Sequence, residues 1–195
     1  KITLKHLAIE NSTSQHSNNI DERFETYKSQ LQKLEVSHIF QWATYYRDTV
    51  SFILKDLINT LEQIDSWDVV LKSIADMFLN HSSKISQRGI EYSLNNGLDE
   101  TLTYNKTTGG LQQFIFLIIN LYAELQREIS TSNQSNLIRK IISSMLSGVL
   151  TGYKNVVGWD KLCNNYRHWV PAIGFLNGND AITFIQERDT TPSQD

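Results

Sequence analysis

Residues 111 to 125 read LQQFIFLIINLYAEL, and the reading of this stretch decides the fold. Leu111, Phe114, Ile115, Phe116, Leu117, Ile118, Ile119, Leu121 and Tyr122 leave it almost no polar side. A β-branched apolar run of this kind suits a buried strand. Its length and its continuation into AELQREIS favour a helix, and a helix apolar on every side has to be wrapped by others. The run is too short for a membrane span and contains Asn120, so burial inside protein is the expectation.

Downstream, STSNQS at 130 to 135 reads as a turn and cap. The helix after it places Leu137 or Ile138, Ile141, Met145, Val149 and Tyr153 at helical spacing. A short linker between two apolar helices implies an antiparallel hairpin at the centre of an all-α bundle. Upstream, DERFETYKSQLQKLEV at 21 to 36 sets Phe24, Tyr27, Leu31 and Leu34 on one side. From Ile39 onward, Ala43, Tyr46, Val50, Ile53 and Leu57 keep a spacing of three or four, and Trp42, Phe52 and Leu54 widen the stripe. Asp65 or Ser66 suits the N-cap of the next helix, which carries VLKSIADMF at 70 to 78 and runs past Asn80. Residues 88 to 110 contain Gly89, Asn95-Asn96-Gly97 and Gly109-Gly110, so short helical pieces and turns are expected there. NVVGWDKLCNNYRHW at 155 to 169 is a short aromatic-rich segment. The expected organisation is a flexible polar arm over 1–20, one helical domain over 21–178 and a polar tail over 179–195, with no internal repeat.

The chain of 195 residues, 40% hydrophobic and 20% charged, is long enough for one domain with a real core. Its two prolines, Pro171 and Pro192, lie near the C-terminus, which favours long helices before them. A net charge of −3 with no basic run argues against nucleic acid as a partner. Cys163 is the only cysteine, so no internal disulfide and no cysteine-based zinc site is expected, which fits a reducing compartment. The sequons at Asn11, Asn80, Asn105 and Asn133 carry little weight in a chain this rich in Asn, Ser and Thr. The sequence begins at Lys1 rather than Met, so a trimmed fragment is expected, and a membrane anchor would have been removed with the missing ends.

Catalysis is not expected. His6, His16, His38, His81 and His168 form no H-E-x-x-H pattern, and no glycine loop precedes a Lys-Ser/Thr pair for phosphate. Cys163 and His168 invite a nucleophile reading, but five residues apart on a short helix they need not meet, and a buried inert thiol is commoner. No cofactor and no metal are expected.

Three segments in this order carry a family resemblance: 67 to 78, 107 to 117 and 156 to 166. Trp67, Leu71, Ile74 and Phe78 recur at intervals of four, three and four, with Ala75 and Asp76 between the last two. Gly158-Trp159-Asp160 is followed by Tyr166, seven positions after the tryptophan. TTGG at 107 to 110 opens the apolar run, and Gly109 and Trp159 stand 50 positions apart. These resemble the third, second and first homology motifs of the Bcl-2 family of apoptosis regulators. The first motif is usually Asn-Trp-Gly-Arg, of which only Gly109 survives. The motif arginine, which in the family often pairs with the aspartate of a bound ligand helix, is Gly110 here; Lys106 or Arg127 are the candidate substitutes, or apolar contacts serve alone.

The resemblance implies a central hydrophobic hairpin wrapped by amphipathic helices, and recognition of an amphipathic helix in a hydrophobic groove through anchors at i, i+3 or i+4, and i+7. The residues it assigns to the groove are Phe78, Gly109, Gly110, Gln113, Phe114, Leu117 and Tyr166. It places the homology motif of the chain's own helix at Trp67, Leu71, Ile74, Ala75 and Asp76, and a cap on the hairpin at Gly158 and Trp159. For each aromatic, plain core packing is the competing assignment. The implied function is that of a survival factor sequestering the amphipathic helices of pro-apoptotic relatives, in the cytoplasm and at the mitochondrial outer membrane. The resemblance leaves room for homo- or heterodimers and for membrane association through the anchor. A family member of opposite sign, whose residues 67 to 78 swing out to permeabilise a membrane, and a generic all-α scaffold are the alternatives.

Overall fold

The computed structural model describes residues 20–36, 42–60, 67–95 and 111–164, and among them the fold is all-α, without a strand. The arm over 1–20, all but Ile20, and the tail over 179–195 lie outside the described residues, as does the N-cap expected at Asp65 or Ser66. The helices are α1 (Ile20–Val36), α2 (Trp42–Thr60), α3 (Trp67–Asn95), α4 (Leu111–Leu125) and α5 (Ser132–Asn164).

Helix α5 is the hub. Leu137, Ile138, Ile141, Ile142, Met145, Leu146, Val149, Leu150 and Tyr153 are all fully buried, because α3, α4 and α2 each pack against it. Helix α1 lies outside this group, against α2 and α3, and contributes Tyr27, Leu31 and Leu34 to the core. The connection over 126–131 returns α4 onto α5, giving the hairpin expected from the sequence.

That connection is closed by a reciprocal cap. Thr131 Oγ1 accepts the Gln134 amide at 3.2 Å, while Gln134 Oε1 accepts the Thr131 amide at 3.1 Å and the Ser130 amide at 2.8 Å. This satisfies donors that the first turn of α5 leaves without intrahelical partners. Gln134 Nε2 also donates to the Ile58 carbonyl oxygen at 3.3 Å, tying the hairpin turn to the end of α2.

Helix α3 makes the most extensive contact with α5, and the two backbones meet at two glycines. A methyl group at Gly148 would overlap the Leu79 carbonyl oxygen and stand 3.0 Å from its carbon; one at Gly152 would overlap the Ser83 carbonyl oxygen and stand 2.8 Å from Ser86 Cβ. Contacts that advance from Leu79 to Ser83 on one helix and from Gly148 to Gly152 on the other mean that the two run parallel. Ser86 Oγ donates to the Val149 carbonyl oxygen at 2.8 Å in the same seam.

Three expectations are corrected. Helix α4 is not wrapped on every side: Phe114, Ile115, Ile118, Leu121 and Leu125 are buried, but Phe116 is 39% exposed and Asn120 and Ala123 face outward. Its apolar residues outnumber the neighbours available to cover them, since among the described helices α5 and α2 are the ones that pack on it closely. Phe52 does not widen the buried stripe of α2 but is 42% exposed, because the step of about 100° per residue turns it away from its buried neighbour Ile53. Gly89 does not break the chain: α3 continues through it to Asn95, with Ser86 and Ile90 buried on either side, and a glycine penalty of about 1 kcal/mol is small against that packing.

Two polar clusters fasten α1. Arg23 Nη1 donates to both Asp56 carboxylate oxygens at 3.0 Å and to Thr60 Oγ1 at 2.9 Å, and the Tyr27 hydroxyl donates to Asp56 Oδ2. His81 Nε2, on α3, stands 3.0 Å from the Leu31 carbonyl oxygen.

Candidate functional site

The motif stripe on α3 is real as a stripe, and it points inward. Ile74, Ala75 and Phe78 are buried, Leu71 is half-buried, and Asp76 is exposed on the opposite side. Trp67 opens the helix; its side chain, like those of Gln113 and Trp159, lies outside the described set.

The residues assigned to a groove divide in the same way. Phe78 and Phe114 are core side chains at 0% and 5% exposure, so neither lines an open furrow. Leu117, one turn further along α4, is half-buried and reachable, with exposed Phe116 beside it. Gly109, Gly110 and Tyr166 lie outside the described residues. So does Lys106, one of the two cations considered in place of the motif arginine. The other, Arg127, is exposed two residues past α4 and stands at the opposite end of that helix from Leu111, about 20 Å away at 1.5 Å per residue. It does not substitute for an arginine at the start of α4.

Four helices converge on Tyr46 of α2. Its ring meets Phe114 of α4 edge-on at 5.1 Å between centroids and stacks on His81 of α3 at 5.9 Å with 10° between planes. His81 in turn reaches Leu31 of α1, and the Tyr46 hydroxyl stands 3.5 Å from Ser82 Oγ. Burial raises the Tyr46 phenol well above its ordinary range, with the Ser82 contact acting weakly the other way. Burial likewise pushes His81 down to about 4; its hydrogen bond to Leu31 opposes the shift, and the positive charge of Lys84 adds to it. Both groups are neutral at pH 7 and belong to the packing rather than to proton transfer.

At the far end of α5, Gly158 holds φ 82° and ψ 168°, a backbone region essentially reserved for glycine. It divides α5 into a long helix up to residue 157 and a last short one over 159–164, so Gly158 acts as the break before Trp159-Asp160. Leu162 of the short piece is fully buried and anchors it to the bundle.

Sequence reasoning missed Tyr46, His81 and the glycine seam as organising features. For the seam a signal existed: Ser144, Gly148 and Gly152 recur every fourth residue, a small-residue stripe on one helix face. For His81 the sequence offers only a histidine inside an apolar stripe.

Among the described residues, no group of three or more His, Cys, Asp or Glu side chains is placed to hold a metal ion, and no helix is long and apolar enough to cross a membrane. Comparison of the chain with protein-family models, with curated proteins and with solved structures found no match.

Proposed function

We propose that this protein is a divergent regulator of the Bcl-2 type, a survival factor that binds amphipathic death-ligand helices beside the start of α4. The observation that carries this reading is the placing of the motif helix: α3 lies along the buried hairpin helix α5 with Ile74 and Phe78 inward and Asp76 outward. A ligand helix would rest on the exposed Phe116 and the half-buried Leu117, with the buried Phe114 of the same helix just before them. With Gly110 where the family has arginine, apolar contacts would supply most of the affinity. Its place of action on this reading is the cytoplasm and the mitochondrial outer membrane.

The seam at Gly148 and Gly152 favours this sign of activity over the permeabilising one. Swinging residues 67 to 78 outward would expose Ile74 and Phe78 right beside that seam, where Leu79 and Ser83 seat the rest of α3 on α5.

The test is a titration of labelled ligand-helix peptides against the protein and a Gly109→Glu variant. Micromolar or tighter binding, abolished by the glutamate, supports the proposal. Failure of every peptide to bind leaves an all-α scaffold as the better description.

A further inference from the structure

His81 is a buried titratable ring held between α1 and Tyr46 of α2, and its surroundings accept only one protonation state. The residue is 3% exposed. With the Leu31 carbonyl oxygen 3.0 Å away, Nε2 must carry the hydrogen and donate it. Nδ1 is then left with its lone pair, buried and without a hydrogen-bond partner. A second proton would have to go on Nδ1, creating a buried cation with an N–H that nothing accepts.

The neighbours offer no relief. From α1 the group facing the ring is the Leu31 carbonyl, already used by Nε2. From α2 it is the face of Tyr46, a neutral phenol whose hydroxyl is turned to Ser82. On α3 itself it is Lys84, whose charge repels a second one, and no carboxylate among the described residues acts on the imidazole. Helix α4 contributes Phe114, which reaches the cluster through Tyr46.

We infer that His81 is an acid-operated latch for α1: neutral, it holds α1 on α3; protonated, it leaves its site and lets α1 come away from the bundle. The inference is independent of the ligand-binding reading above. Because folded His81 titrates at about 4 and a freed one near 6.5, the closed state keeps its full advantage above pH 6.5 and loses it as the pH falls towards 4. Within that window each pH unit makes opening up to about tenfold easier, so that pH 5 favours opening about 15-fold more than pH 6.5 does.

The experiment is amide hydrogen exchange on the full chain at pH 7, 6, 5 and 4.5, with intrinsic rates corrected for pH, comparing the α1 amides around Leu31 with those of α5. The wild type should lose α1 protection by up to about tenfold per unit below pH 6.5. In His81→Gln, whose amide can donate to Leu31 but does not titrate, that dependence should vanish. Equal pH dependence in the variant and the wild type overturns the latch. If the variant does not fold, the His81 imidazole resonance of the wild type decides: titration near 6.5 with α1 protection intact overturns it, and protonation only well below 6, coincident with loss of α1 protection, supports it.

Discussion

Replacing Gly148 by alanine should destabilise the protein, although alanine is the better helix former. In an open helix the exchange gains about 1 kcal/mol. At Gly148 the new methyl would overlap the Leu79 carbonyl oxygen and stand 3.0 Å from its carbon and 3.1 Å from its Cα, against an ordinary carbon–carbon separation of about 3.5–4.0 Å. The obstacle is backbone, which cannot rotate aside, so α3 and α5 must move apart along a shared seam. Overpacking of this kind costs about 1–3 kcal/mol, and the upper half of that range applies where no side chain can yield. The net loss is then about 1–2 kcal/mol, or a fall in Tm of about 2–8 °C for a chain of this size. Gly152→Ala should behave alike, since its methyl would meet the Ser83 carbonyl and Ser86 Cβ. The double variant should lose less than the sum of the two, because helices already parted by the first methyl accommodate the second. Gly89 supplies the control: nothing lies within 4 Å of a Cβ there, so Gly89→Ala should raise Tm by about 1–4 °C. Thermal melts followed by circular dichroism measure all four. A Gly148→Ala protein as stable as Gly89→Ala would refute the close parallel seating of α3 on α5.

Two further substitutions probe the fastenings. Gln134→Ala removes the side-chain half of the cap and the bond to the Ile58 carbonyl, leaving Thr131 Oγ1 on the residue-134 amide, and should lower stability in urea by about 1–3 kcal/mol; Gln134→Glu should keep the cap but lose the tie to α2, falling between alanine and the wild type. Asp56→Ala leaves Arg23 and Tyr27 without their shared acceptor and should cost about 1.5–3 kcal/mol; a double-mutant cycle with Tyr27→Phe that shows no coupling would mean the hydroxyl contact contributes nothing.

Much of the fold could be read from the spacing of apolar residues. The stripe of α5 from Leu137 to Tyr153 and that of α1 from Tyr27 to Leu34 are buried where their periodicity puts them. Periodicity does not say how many neighbours a helix has, and this is why α4, the most apolar stretch, has an uncovered side while α5, with more Ser, Asn and Lys, is the hub. Gly89 reads as a break by composition, but a glycine in mid-helix only weakens it, and α3 runs on through the position. At the candidate site, the interval pattern put Ile74 and Phe78 on one face, yet nothing in an interval says whether that face meets a partner or the chain's own core. The partnership of His81 with Leu31 joins positions 50 apart and has no local signature at all.

The parallel seating of α3 on α5 also sets an order of events as the chain collapses. Leu79 and Gly148 are separated by 69 positions, whereas α4 and α5 are joined by the short segment 126–131. Closing the longer loop costs about 2 kcal/mol more in chain entropy, by the logarithmic dependence on loop length. The hairpin therefore offers the cheaper nucleus, and the arrival of α3 completes the core late, giving slower folding than an up-and-down bundle of equal length whose contacts are all between sequence neighbours.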